Sequence, residues 1–337
     1  MRAMVLHSIC KLDSCQQPLV AEDLPQPLPG KGEILLQVLC CGVCHTELDI
    51  IEGRTPAKEL PLIPGHEVVA RVVAHGDKAS RFATGQRVGV GWIFCSDGTC
   101  NENVSPAFTA TGRDAQGGYA EYMCVPEDYA YPIPDHFSDA EAAPLLCAGA
   151  IGYRALLLSG LQDGQVLGLT GFGGSGHLVL QLARHMFPAS PVFVFARSAA
   201  ERAFADQLGA AWSGDTGAVP PAAPHAIIDT TPAWKPVIAA LEVLRPGGRL
   251  VINAIRKQDN DRKYLETLSY ERHLWLEKEI KSVANITHHD IEEFLPIAAA
   301  ADLHVETQSM PLQQANQALL ALHDGDVRGA YVLEVAR

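Results

Sequence analysis

Gly171-Phe172-Gly173-Gly174-Ser175-Gly176 has the spacing G-x-G-x-x-G. Glycine-rich turns are common, so the pattern alone says little and its surroundings decide its meaning. Before it, Gln165–Thr170 is an apolar run that reads as a buried strand. After it, His177–Phe187 places Leu178, Val179, Leu182, Ala183 and Met186 on one helical face. Between strand and helix the glycines have separate tasks. Gly171 permits a tight turn, Gly173 lets the backbone approach a pyrophosphate, and Gly176 lets the helix pack close to the strand. With Gly174 and Ser175 they form a phosphate-binding turn, to which the helix start offers free N–H groups and the positive end of its dipole. The stretch therefore predicts dinucleotide binding.

Downstream, strand-like and helix-like segments alternate. Val192–Ala196, Ala226–Asp229 and Arg249–Asn253 read as strands, and Asp290–Ala301 as a helix. This alternation predicts a parallel sheet with helices on both faces. Upstream of about Ala148 the texture differs. Short apolar runs at Glu33–Leu39, Val68–Ala74, Arg87–Val90 and Tyr119–Val125, punctuated by Gly and Pro, predict a β-rich barrel or sandwich. Arg328–Val335 alternates again and reads as a strand returning to that first domain. The predicted division is 1–148 with 289–337 for the β-rich domain and 149–288 for the nucleotide domain. Two domains also suit a chain of 337 residues.

Composition excludes several classes. The net charge is -13 with no basic run, which argues against nucleic acid. No stretch approaches the roughly 20 apolar residues of a membrane helix. Met1–Cys10 reads as a first strand, without the apolar core of a signal peptide. The nine cysteines are an odd number, unevenly spaced, and fit reduced thiols in a cytoplasmic protein, with metal binding or catalysis as uses.

The dinucleotide can be read further. An acidic residue about 20 positions beyond the turn grips the ribose of NAD. Here the next strand ends Phe195-Ala196-Arg197-Ser198, with no acid. Arg197 and Ser198 suit a 2′-phosphate, so NADP(H) is favoured over NAD(H). The plainer reading makes Arg197 a solvated loop residue. In the first domain, Cys44, His66 and Cys147 form a sulfur, nitrogen, sulfur set suited to zinc with one position left open. Their spacing alone does not establish a site, since cysteine is often only a small buried hydrophobe.

The ordered motifs Cys41–Thr46 (C-G-V-C-H-T), Pro64–Glu67, Gly117–Tyr122, Leu146–Gly149, the glycine turn and Arg328-Gly329-Ala330 span essentially the whole chain. Together they resemble the zinc-containing alcohol dehydrogenase family of the medium-chain dehydrogenases/reductases, nearest the bacterial branch related to cinnamyl alcohol dehydrogenases. The resemblance implies an α/β protein with a GroES-like β-rich catalytic domain and a Rossmann doubly wound nucleotide-binding domain. It implies hydride transfer between NAD(P)(H) and primary alcohols or aldehydes, at a site in the cleft between the domains. Cys44, His66 and Cys147 would hold the zinc, Glu67 would be an occasional ligand, and Glu47 would fix the His66 ring. Thr46 would hydrogen-bond the substrate oxygen and start the proton relay. His45 and Arg328 would reach the pyrophosphate, Ala254 and Ile255 the nicotinamide ribose, and Trp92 would wall the substrate pocket. A plain core tryptophan is the alternative for Trp92. A homodimer or homotetramer is the default assembly.

The chain departs from the family in three places. Its lobe between Trp92 and Gly118 carries only Cys95 and Cys100, where many members hold a structural zinc on four cysteines. No structural zinc is predicted. Asp49 stands where many members end the relay with a histidine, and reads either as a relay group or as a solvated carboxylate. Ile151 replaces a threonine found under the nicotinamide in some members. Two rival readings remain: a zinc-free quinone or enoyl reductase of the same fold, and a non-catalytic dinucleotide-binding redox sensor.

Overall fold

The inner strands of the parallel sheet, Leu167–Thr170, Val192–Phe195 and Ala226–Asp229, are short runs buried along their length, as strands covered on both faces must be. In the computed structural model, which describes residues 1–325 and 329–335, the chain divides into two compact units. One comprises Met1–Ala150, Asn285–Ala299 and Val305–Arg337; the other comprises Ile151–Ala284 and Ala300–His304.

The second unit holds a six-stranded sheet. Its order is Trp212–Gly214, Val192–Phe195, Leu167–Thr170, Ala226–Asp229, Arg249–Ile252, Glu279–Ser282, and every pairing is parallel. Leu167–Thr170, first in the chain, therefore lies in the middle of the sheet. Strand order reverses on its two sides, which makes the strand end beside Gly171 a topological switch point. Leu167–Thr170, Val192–Phe195 and Ala226–Asp229 are buried along their whole length. The edge strand Glu279–Ser282 is exposed throughout. Val237, Ala240 and Leu241 of the helix Lys235–Val243 pack with Ile227 and Leu250 of the sheet.

In the first unit the strand Glu33–Val43 organises a seven-stranded sheet. It pairs antiparallel with Val68–His75, with Tyr122–Pro126 and with Ala330–Glu334. Register shifts at Leu35/Leu36 and Val38/Cys40 bend it, as β-bulges do. The last strand thus returns to this sheet, although Arg328 lies outside the described residues. The run anticipated at Tyr119–Val125 begins as a strand only at Tyr122. Its first part is occupied elsewhere, with the backbone N–H groups of Tyr119 and Glu121 donating to the carbonyls of Pro64 and Arg2.

A helical run from Asp139 to Ser159 has no counterpart in the sequence reading. It is an α-helix to Pro144, a π-turn over Leu145–Gly149, and an α-helix from Ala150. At 21 residues it is long and apolar enough to cross a membrane, but 67% of its most apolar window is buried inside the protein. It reads as a core helix.

Candidate functional site

The helix His45–Ile51 starts where the central strand of the first unit ends. Cys44 is its extended N-cap residue and Glu47 its third helical position. A carboxylate there normally turns back to the N-cap backbone. Glu47 does so through Oε2, which accepts from the Cys44 N–H at 2.8 Å. Its other oxygen, Oε1, lies 2.5 Å from Nδ1 of His66. One buried carboxylate thus holds two of the anticipated ligands at once. The loop before the strand Val68–His75 supplies His66 and Glu67, both buried. Room for Glu67 comes from Gly42, where a Cβ would run into the Glu67 side chain. Cys147 projects from the π-turn, a local widening of the helix that often marks functional positions.

Ligand atoms of Cys44, His66, Glu67 and Cys147 all lie within 4.8 Å of one another. The fit to a soft divalent metal rests on His66 Nε2, which is buried and has no hydrogen-bond partner. An imidazole nitrogen left so beside two sulfurs is costly unless something binds it. The electrostatics agree. The hydrogen bond from Cys147 pulls the Cys44 thiol well below its ordinary range, as does His66, against the opposing effect of burial. Burial would depress the His66 imidazole, but the facing Glu47 carboxylate and Cys44 raise it well above its usual value. Burial, with Cys44 and Glu47 nearby, pushes Glu67 far upward. Concentrated donor charge of this kind calls for a cation.

The neighbouring residues take varied roles. Trp92 is buried and meets the His66 ring edge-on, with centroids 5.0 Å apart, while its Nε1 donates to Asn285 Oδ1 at 3.0 Å. Thr46 is buried, and its Oγ1 lies 3.6 Å from the Cys44 sulfur. His45 is exposed on the first helical turn. Asp49 is not a solvated carboxylate. It is buried on the inner face of the helix, where Arg54 Nε donates to it at 2.6 Å.

Polar side chains close the loop between Trp92 and Gly118. Cys95 is half-buried, Cys100 is exposed, and both are free thiols. Asp97 accepts from Thr99 N, Thr99 Oγ1 and Ser105 Oγ. Fully buried Glu102 accepts from Tyr129 Oη at 3.0 Å, and from the His288 backbone N–H and Nδ1 at 2.5 Å each. Sequence reasoning missed Glu102, because nothing in a polar loop distinguishes a buried acid from a solvated one.

In the second unit, Gly171 has φ +80°, and a Cβ on it would meet Thr231 Cγ2 at 2.8 Å and Thr230 Oγ1 at 2.9 Å. Gly173 and Gly174 face open space. A Cβ on Gly176 would lie 2.7 Å from the Gly171 carbonyl oxygen. Ser175 leaves the start of the helix Gly176–Met186 without a side-chain cap. The turn is therefore a backbone cradle that side chains would fill, and it fits a pyrophosphate. Arg197 and Ser198 are exposed at the end of the next strand. The Ser198 hydroxyl, however, is already engaged. It donates to Glu201 Oε2 at 2.9 Å and accepts from Glu201 N at 3.1 Å, capping the helix Ala199–Gln207. That capping box brings an acid back to a turn where the sequence promised none. Ala254 is half-buried and Ile255 is 55% exposed, just past the strand Arg249–Ile252. Under the same strand ends, buried Asp229 is ion-paired with Lys257 and accepts from Thr170 Oγ1 at 2.6 Å. Neither Asp229 nor Lys257 stood out in the sequence.

Residues 30–135 match the alcohol dehydrogenase GroES-like domain. A probable alcohol dehydrogenase AdhA of Mycobacterium tuberculosis is 41% identical over 318 residues, covering 91% of this chain and 90% of that one. The chain belongs to the zinc-type alcohol dehydrogenase family of the medium-chain dehydrogenases/reductases. Cinnamyl alcohol dehydrogenase 1 of Ocimum basilicum is 32% identical to this alcohol dehydrogenase over 327 residues, 91% of this chain and 89% of its own. The structure of cinnamyl alcohol dehydrogenase SbCAD4 from Sorghum bicolor superposes with a TM-score of 0.84 at 25% identity, covering 99% and 97% of the two chains. The chain is an alcohol dehydrogenase, an oxidoreductase that interconverts alcohols with aldehydes or ketones. The rival of a non-catalytic redox sensor falls with that assignment.

Proposed function

We propose that Cys44, His66 and Cys147 hold one catalytic zinc, with Glu67 in reach as a further ligand and Glu47 fixing the imidazole. The observation that carries this is His66 Nε2, buried and unpartnered beside two sulfurs, while Nδ1 is committed to Glu47. A zinc ion there supplies Lewis acidity toward a substrate oxygen. The chain's own residues do the rest. Glu47 sets the tautomer that leaves Nε2 free. Thr46, on the first turn beside Cys44, passes the substrate hydroxyl proton away from the site. Trp92 packs against the ligand ring and keeps water off it. The turn from Gly171 to Gly176 seats the pyrophosphate, and Ala254 and Ile255 border the nicotinamide ribose. By family likeness we also assign His45 and Arg328 to the pyrophosphate, Arg328 falling outside the described residues. We take the unit with the seven-stranded sheet as the catalytic domain and the unit with the six-stranded parallel sheet as the nucleotide domain.

Arg197 favours NADP(H). Its exposed cation stands at the end of the second strand, with its backbone carbonyl oxygen held by Arg202 at 3.0 Å. Glu201 opposes that preference, so discrimination should be moderate. Cinnamyl-type relatives support primary aromatic or medium-chain substrates. We further take the enzyme to be a cytoplasmic homodimer or homotetramer with no structural zinc. The test is metal analysis with kinetics. Purified enzyme should retain about one zinc per chain. Cys44→Ala should abolish turnover while fluorescence still reports NADPH binding. Retained turnover would overturn the zinc assignment, and kcat/KM higher with NADH than with NADPH would overturn the cofactor preference.

A further inference from the structure

We propose a second, weaker transition-metal site, formed by His288, His289 and Glu292 at the start of the helix His288–Ala300. Ligand atoms of the three residues lie within 4.8 Å of one another. Positions three and four apart share a helix face, which brings Glu292 under both histidines. The two imidazole centroids are 3.9 Å apart. The decisive feature is Glu102. Fully buried, it holds His288 through Nδ1 at 2.5 Å and through the backbone N–H as well. With Nδ1–H donated to a carboxylate, Nε2 keeps its lone pair for a metal. The molecule therefore builds the same carboxylate–imidazole pair twice, as Glu47–His66 and as Glu102–His288.

Glu292 divides its carboxylate. Oε1 is ion-paired with Arg81, and Oε2 faces His289 Nδ1 at 3.7 Å. The His289 side chain is 59% exposed, so the remaining coordination positions go to water. Two nitrogens and one oxygen suit Zn²⁺, Cu²⁺ or Ni²⁺ over Mg²⁺ or Ca²⁺. Arg81 and the positive end of the helix both work against a cation, which makes the site weak. We expect it to fill only when metal is supplied, and it shares no residue with the Cys44, His66, Glu67 and Cys147 cluster.

The experiment is a zinc titration of the zinc-loaded enzyme by calorimetry. Wild type should take up a second equivalent. In His289→Ala and Glu292→Gln that step should weaken at least tenfold, with turnover and the first zinc unchanged. Cys100→Ser should leave it intact. Added Cu²⁺ should give an electron paramagnetic resonance spectrum with coupling to imidazole nitrogen in wild type, lost in His289→Ala. Circular dichroism melts confirm that the variants fold. The proposal is overturned if wild type binds no second equivalent. It is equally overturned if His289→Ala binds one as tightly as wild type, or if Cys100→Ser loses it.

Discussion

Replacing Glu47 by glutamine separates this carboxylate's two tasks. Its oxygens accept from two different donors, the Cys44 backbone N–H and His66 Nδ1. A glutamine amide has one acceptor oxygen, and its NH₂ faces the second donor with another donor. One buried N–H is then stranded, at a cost of about 1–3 kcal/mol. At about 1.4 kcal/mol per tenfold, that corresponds to zinc affinity weakened by about fivefold to 150-fold. The range brackets the roughly 10–100-fold loss typical when the outer partner of a metal-bound histidine is removed. Zinc affinity is measured by competition with a chromogenic chelator, and kcat/KM with a primary alcohol at saturating zinc. If the stranded group is His66, the ring loses its orientation and kcat/KM stays depressed even with zinc restored. Zinc affinity within twofold of wild type would refute the reasoning, because the carboxylate would then not be holding the ligands.

Two more outcomes follow from buried carboxylates. In the zinc-free enzyme, burial beside Cys44 and Glu47 raises the Glu67 carboxyl, so the folded state holds a proton that the unfolded chain releases near pH 4.3, at about the ordinary glutamate value. Its stabilising contribution is complete below that pH and is lost as pH rises toward the raised folded value, at about 1.4 kcal/mol per pH unit. Chelator-treated Glu67→Gln should therefore lose less stability than chelator-treated wild type between pH 5 and 8, and parallel melting profiles would contradict this. Glu102→Ala removes the acceptor of the Tyr129 O–H and of two N–H groups of His288, so urea titration should show a loss of about 3 kcal/mol or more, with the tightly held zinc unaffected.

The strand, turn and helix around Gly171 were legible because the signal is local. An apolar run, a residue needing positive φ and a helical stripe all fall within a short window. The ligand types at Cys44, His66 and Cys147 and their convergence were expected from family likeness, but no local pattern showed how the convergence arises. It depends on the pairing of Glu33–Val43 with Val68–His75 and on a π-turn that no periodicity announces. Asp49 and Ser198 show the limit most directly. Read alone, each offered a group to solvent or ligand. In the fold, each is spent on a neighbour, Arg54 for one and Glu201 for the other.

By itself, then, the sequence determined the class of fold, the nucleotide turn and the kinds of atoms available for a metal. Backbone preference and side-chain chemistry act within a few residues and can be read along the chain. The tertiary structure alone decided that one glutamate serves both Cys44 and His66, that Glu102 holds His288, and that Asp229 pairs with Lys257. Apart from the local Glu47–Cys44 cap, these contacts join positions whose separation along the chain carries no information, because strand register and helix placement set the distances between them.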